Sequence, residues 1–142
     1  MIKKLLIVIV LCSIIGAAIG VYIWNKPSKR VEEEKGISVT AISVSKLFTD
    51  DKTKAATLYL NKALEISGEV TDININQDGN KMVLLKTGDS TKEIRCTMRE
   101  KDATIAKGQS VTIKGYCSGY LESDIPESLP SSIVLTDCVL KK

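Results

Sequence analysis

Residues 5–24, LLIVIVLCSIIGAAIGVYIW, run for twenty positions without a charge. At about 1.5 Å per residue, a helix of that length reaches roughly 30 Å, the thickness of a bilayer hydrocarbon core. Lys3 and Lys4 precede the run, and Tyr22 and Trp24 lie at its far end, where interfacial aromatics sit. The pattern predicts a transmembrane helix over 5–24 behind a short head, residues 1–4. The run exceeds the apolar stretch of a cleaved signal peptide, about 7–15 residues. Cys12 follows Val10-Leu11 rather than the small residues that precede a lipidated cysteine. The expectation is an uncleaved signal anchor that sends the rest of the chain across, to the periplasmic side of an inner membrane. Residues 25–36, NKPSKRVEEEKG, show no periodic apolar face and read as a juxtamembrane linker: Pro27, a basic cluster that includes Lys26 and Lys29, then three glutamates.

Periodicity of 3.6 and then of 2 organises residues 37–142 into one domain. Ser43 or Ser45 caps a helix predicted over 44–60, with Leu47, Phe48, Asp51, Ala55, Leu58 and Tyr59 near one stripe. A long strand carrying Leu64, Ile66, Val70 and Ile73 follows, with Gly68 marking a bulge or bend. After the turn residues 76–80, in which Gly79 is free to take positive φ, strands are predicted over 81–87 and 93–98. Ile94, Cys96 and Met98 share a face of the latter. Residues 99–107 have room for two helical turns, 110–116 alternate again, 121–131 with Pro126 and Pro130 form a loop, and 132–140 supply a fifth strand. Five short strands with a small helix between the third and fourth is the element order of the OB-fold, a partly open Greek-key barrel. The expected fold is therefore mainly β with helices: a five-stranded OB-fold barrel preceded by a helix, plus the N-terminal transmembrane helix.

Charge and composition narrow the function. The 142 residues carry 20 Lys+Arg against 17 Asp+Glu, but residues 37–142 hold fourteen of each, so the domain lacks the bulk positive field of a nucleic-acid binder. There is no histidine, which removes Ser/His and Cys/His catalysis and histidine metal sites. No paired carboxylates, glycine-rich phosphate loop or nucleophile–base pair stands in a recognisable frame. No enzyme, cofactor or metal is expected. The stretch 74–79, NINQDG, half-matches a calcium loop, but position twelve would be Leu85 rather than a bidentate Glu, so it reads as a hairpin turn.

The segments YLNK at 59–62 leading into EISGEV, IRCTM at 94–98, KGQSVTIKGYCSGY at 107–120 and IVLTDCVL at 133–140 resemble the tRNA-anticodon-like OB-fold family over roughly residues 42–142. These are small bacterial proteins, mostly from the Bacteroidetes, with an N-terminal membrane or lipoprotein signal. The resemblance implies an OB-fold related to nucleic-acid binders.

OB-folds bind along their second and third strands and the adjoining loops. Lys81, Lys86, Lys92 and Arg95 on that face, with Tyr120 on a nearby loop, are the candidate ligand-binding residues. Neither strand offers an aromatic for base stacking, and Asp78, Asp89 and Glu93 lie among the cations. The reading is a membrane-tethered, non-enzymatic binding or interaction module for an unknown protein or oligomeric ligand. Single-stranded nucleic-acid or oligosaccharide binding, and a structural role in the envelope, are the alternatives. Cys96, Cys117 and Cys138 are spaced by 21 residues without a CxxC pair. Parity groups Cys117 with Val111 and Ile113, and Cys138 with Val134 and Leu140, both inward. Either a Cys117–Cys138 disulfide or three buried thiols follows, as the compartment decides. Fractionation checks the anchor: the chain should sediment with membranes and keep its N-terminus, whereas a mature chain starting near Ile19 or Val21 would show cleavage.

Overall fold

A computed structural model describes residues 2–25, 30–101, 103–125 and 128–141. The features expected at Lys26, Pro27, Lys29 and Pro126 lie outside them. Helix α1 (Ile2–Asn25) contains a 19-residue apolar stretch, Ile7–Asn25, long enough to be a candidate membrane span, and no part of that stretch is buried.

Strand β1 (Ile37–Thr40) leads directly into helix α2 (Ala41–Asp50). The cap is Thr40 rather than Ser43 or Ser45. Thr40 Oγ1 accepts from Ser43 N, and Ser43 Oγ accepts from Thr40 N, both at 3.1 Å, a reciprocal capping box. The single helix expected over 44–60 is two. Asp51, at φ −153° and ψ 89°, leaves the helical region, and its side chain caps α3 (Lys52–Tyr59) by accepting from Lys54 N at 2.9 Å. The break seats Phe48 and Ala55 in one core.

Five strands close the barrel: β2 (Ala63–Ile75), β3 (Lys81–Lys86), β4 (Lys92–Met98), β5 (Ser110–Leu121) and β6 (Ser131–Leu140). Their order is β2-β3-β4-β6-β5, with β5 pairing back onto β2, and β6 lies parallel to β4. This is the strand order of the OB-fold. The unforeseen β1 adds to β2 in parallel, Ile37 opposite Leu64 through Thr40 opposite Ser67. The bulge in β2 sits at Thr71, between Val70 and Asp72, rather than at Gly68. Residues 99–107 form no helix among the described positions. Lys81 Nζ hydrogen-bonds Ala103 O at 2.9 Å, a carbonyl that a helix there would use internally.

Leu64, Ile66, Val83, Leu85, Ile94, Ile113, Ile133 and Leu135 fill the interior with Phe48, Met98 and the three cysteines. Each such side chain contributes about 1.5–3 kcal/mol on burial. The parity expected for β6 is corrected. Ile133 and Leu135 face inward while Val134 is half-buried, and the alternation then slips by one. Asp137, at φ 55°, adds a residue opposite Gly115, and this bulge turns Cys138 inward. A Cβ on residue 115 would lie 2.5 Å from Cys138 Sγ and 3.2 Å from Thr136 O. Gly115→Ala should therefore destabilise the barrel by about 1–3 kcal/mol through overpacking. Chemical denaturation of this variant alone and together with Cys138→Ala checks the cause, because removing the sulfur should reduce the cost.

Candidate functional site

The outer face of β2, β3 and β4 is the surface on which OB-folds take ligands. Here Thr71, Asn74, Met82, Leu84, Glu93 and Arg95 line a shallow hollow of about 260 Å³. A second hollow, about 420 Å³, continues past Lys86, Asp89 and Lys92. Of the candidate cations, Lys86, Lys92 and Arg95 line these two hollows and Lys81 lines neither, and an acceptor stands beside each of the four. Lys81 is held by Ala103 O. Lys86 Nζ lies 3.8 Å from Glu69 Oε2, with both side chains exposed. Lys92 Nζ donates to Asp89 Oδ2 at 3.0 Å and to Thr49 Oγ1 at 2.7 Å. Arg95 Nε donates to Glu93 Oε1, which also accepts from Ser132 Oγ at 3.1 Å. Asp89 in turn accepts from the Thr91 hydroxyl at 2.7 Å and the Thr91 N–H at 2.9 Å; these bonds, with Lys92, hold its carboxyl down at about 2.

Tyr120 stands apart from that face. Its ring stacks on Phe48, centroids 5.2 Å apart and planes 15° apart, and Lys52 Nζ lies 5.8 Å from its centroid. This ring completes the core under α2 instead of presenting itself to a base. The Cys117–Cys138 bond expected as one alternative is not formed, and Cys96, Cys117 and Cys138 are buried free thiols. Cys117 lies opposite Leu135, whereas Cys138 belongs to the bulge opposite Gly115, so the two do not face each other.

Two features went unforeseen. A groove of about 720 Å³ opens where β2 changes partner from β1 to β3, between Thr40–Ile42 and residues 109–112. It depends on β1, whose four residues give too short an alternation to predict. The second is the linker, which is docked on the barrel rather than free. Val31 is fully buried, and Lys114 Nζ donates to Glu32 O at 3.1 Å. Arg99 grips both Glu32 oxygens, at 2.8 and 2.9 Å, and forks on its other side onto Asp137 of the β6 bulge. The Tyr116 hydroxyl donates to Glu34 Oε2 at 2.6 Å, which raises it to about 12. The one signal for this strap was Val31, an isolated aliphatic residue in a charged run.

A candidate membrane-spanning helix followed by a closed five-stranded OB barrel defines an OB-fold protein with an N-terminal apolar helix. Residues 1–131 match the tRNA_anti-like family model, and the chain belongs to that family. No curated protein sequence matches it. Among solved structures it is similar to a presumed nucleic acid-binding lipoprotein from Klebsiella pneumoniae subsp. pneumoniae, with a TM-score of 0.55 at 17% identity over 82% of this chain and 100% of that one. A presumed aspartyl-tRNA synthetase from Leishmania major Friedlin aligns with a TM-score of 0.43 at 10% identity, over 87% of this chain and 25% of that one.

The strap has a pH signature. A backbone hydrogen bond within Glu32, then the Arg99 guanidinium, hold the Glu32 carboxyl below its ordinary 4.5. Its contribution to docking is complete above that ordinary value and is lost as pH falls through the lowered one. An NMR titration should place Glu32 below 4.5 and show it rising part of the way back in Arg99→Ala. At neutral pH the same variant should be cleaved faster by trypsin at Arg30 and Lys35.

Proposed function

We propose that this chain is a membrane-tethered, non-enzymatic OB-fold module that binds a protein or another partner of mixed charge outside the cytoplasm, with α1 as an uncleaved anchor. The observation that carries this reading is the pairing of Lys86, Lys92 and Arg95 with Glu69, Asp89 and Glu93 on the β2–β3–β4 face. A polyanion gains affinity by neutralising phosphates with cations and releasing their counterions, and a cation already held by a carboxylate releases few. A protein surface with its own alternating charges fits such a face without that loss, since complementary pairs exchange one partner for another.

Single-stranded nucleic acid is the second reading, favoured by the family and by the description of the Klebsiella neighbour. Base–aromatic stacks contribute about 1–3 kcal/mol each, and β3 and β4, KMVLLK and KEIRCTM, carry none. Fluorescence anisotropy of the detergent-solubilised chain with mixed oligonucleotides at about 150 mM salt separates the two. Binding should stay no tighter than the usual non-specific range, about 1–100 μM. A Kd below about 1 μM that weakens on Arg95→Glu would establish the nucleic-acid reading in its place.

A further inference from the structure

Residues 31–34 hold to the barrel by three side chains and one carbonyl. Among the described residues their one backbone–backbone hydrogen bond is internal, Glu33 N to Arg30 O at 3.0 Å, so the strap adds nothing to the strand ladder. Val31 is fully buried, yet it lies outside the cluster of side chains that fills the barrel. The groups that receive the strap are set by the barrel itself. Arg99, just past β4, donates from Nε and Nη2 to Asp137, which reaches it from the β6 bulge at φ 55°. That fork leaves Nη1 aimed at the Glu32 carboxylate. Lys114 is buried on β5, 3.8 Å from Glu65, and Lys141 in turn holds Glu65 at 2.6 Å. A guanidinium and an ammonium already fixed by barrel carboxylates lose little freedom when a ligand arrives. The strap thus fills a preorganised seat: a pocket for an aliphatic side chain, a guanidinium edge for one carboxylate, an ammonium for a carbonyl and the Tyr116 hydroxyl for a second carboxylate. None of Arg99, Lys114, Tyr116 and Asp137 lines the hollows on the β2–β3–β4 face.

We propose that the seat under residues 31–34 is a recognition site for an acidic segment of a partner protein, an aliphatic residue followed by carboxylates, and that the chain's own linker fills it until such a segment replaces it. The linker shows what the seat takes, because it is a peptide of that chemistry bound by every group the seat offers. Its contacts are charge-assisted hydrogen bonds and one small apolar side chain, and each can pass to an incoming segment without breaking a strand pairing. The exchange frees the linker, so capture of a partner also lengthens the tether. The site stands on the strap's contacts and is independent of the partner proposed for the β2–β3–β4 face.

The capped tetrapeptide VEEE carries every strap residue that touches the seat and no site for trypsin, which makes it the probe. Fluorescein-labelled VEEE is titrated by anisotropy into the detergent-solubilised full chain, native or with the strap disabled by Val31→Ser, Glu32→Gln and Glu34→Gln. A linker tethered beside its seat has an effective concentration in the millimolar range, so the native chain should need about millimolar peptide. The strap variant should bind below about 100 μM, at least about tenfold more tightly, and adding Arg99→Ala should remove that gain. A second arm keeps the native sequence. Unlabelled VEEE at about 10 mM should displace the strap and speed trypsin cleavage at Arg30 and Lys35, whereas its reverse, EEEV, of the same charge, should not. A strap variant that binds no more tightly than the native chain, or equal action of VEEE and EEEV, overturns the recognition site. A mixed oligonucleotide that displaces the labelled peptide as well as VEEE does overturns it too, in favour of a polyanion site. If the strap variant loses its far-UV β spectrum, the trypsin arm on the native chain decides.

Discussion

β2 serves two sets of neighbours, and the barrel exists because it does. Its first seven residues pair with β5 on one edge, and residues 70–75 pair with β3 on the other. A strand that closes a sheet on itself must curl between these two pairings, and an extra residue supplies the curl. Thr71 is that residue, its hydroxyl hydrogen-bonding Leu84 O at 3.2 Å across the irregular step. At Gly68, just before the curl, a side chain would crowd Ala41 Cβ at 3.0 Å and lift the start of α2 away. Closure also fixes the depth at which Ile66, Val70 and Leu85 meet Phe48, so the helix position follows from the strand.

The apolar N-terminal run, the OB order of five strands, the inward face of β4 and the positive φ of Gly79 could all be read in the sequence, because each follows from local periodicity or from the chemistry of one residue. The misreadings share a different cause. Gly68 is the more flexible residue, but the bulge falls at Thr71, where the partner register demands it. Parity along β6 places Cys138 and Leu140 inward as they are but errs at Val134, since the residue inserted at Asp137 inverts the assignment across it and nothing local announces it. The helix over 44–60 breaks at Asp51, whose side chain favours a cap over an interior turn. The candidate cations lie on the strands the pattern assigned to them. Asp89 and Glu93 stand beside Lys92 and Arg95 in the sequence itself, whereas Glu69 reaches Lys86 only through the β2–β3 pairing.

That pairing also bears on how the fold relates to its relatives. A family match and a TM-score of 0.55 describe the scaffold, and the scaffold admits many ligands. What differs among OB barrels is the chemistry of the face, and here acid and base alternate on it in register. Selection for an anionic polymer would leave the bases unaccompanied and place rings between them.

The docked strap sets how far the barrel can travel. Only residues 26–30 separate Asn25 at the end of α1 from Val31, which is seated on the barrel. Six Cα-to-Cα steps span at most about 20 Å even when fully extended. With α1 lying in a bilayer, Val31 stays inside a shell of that radius around the helix end. The module then searches a thin layer along the lipid surface instead of a volume. Partners confined to the same surface meet it by lateral diffusion at a high local concentration, and weak contacts suffice to hold them.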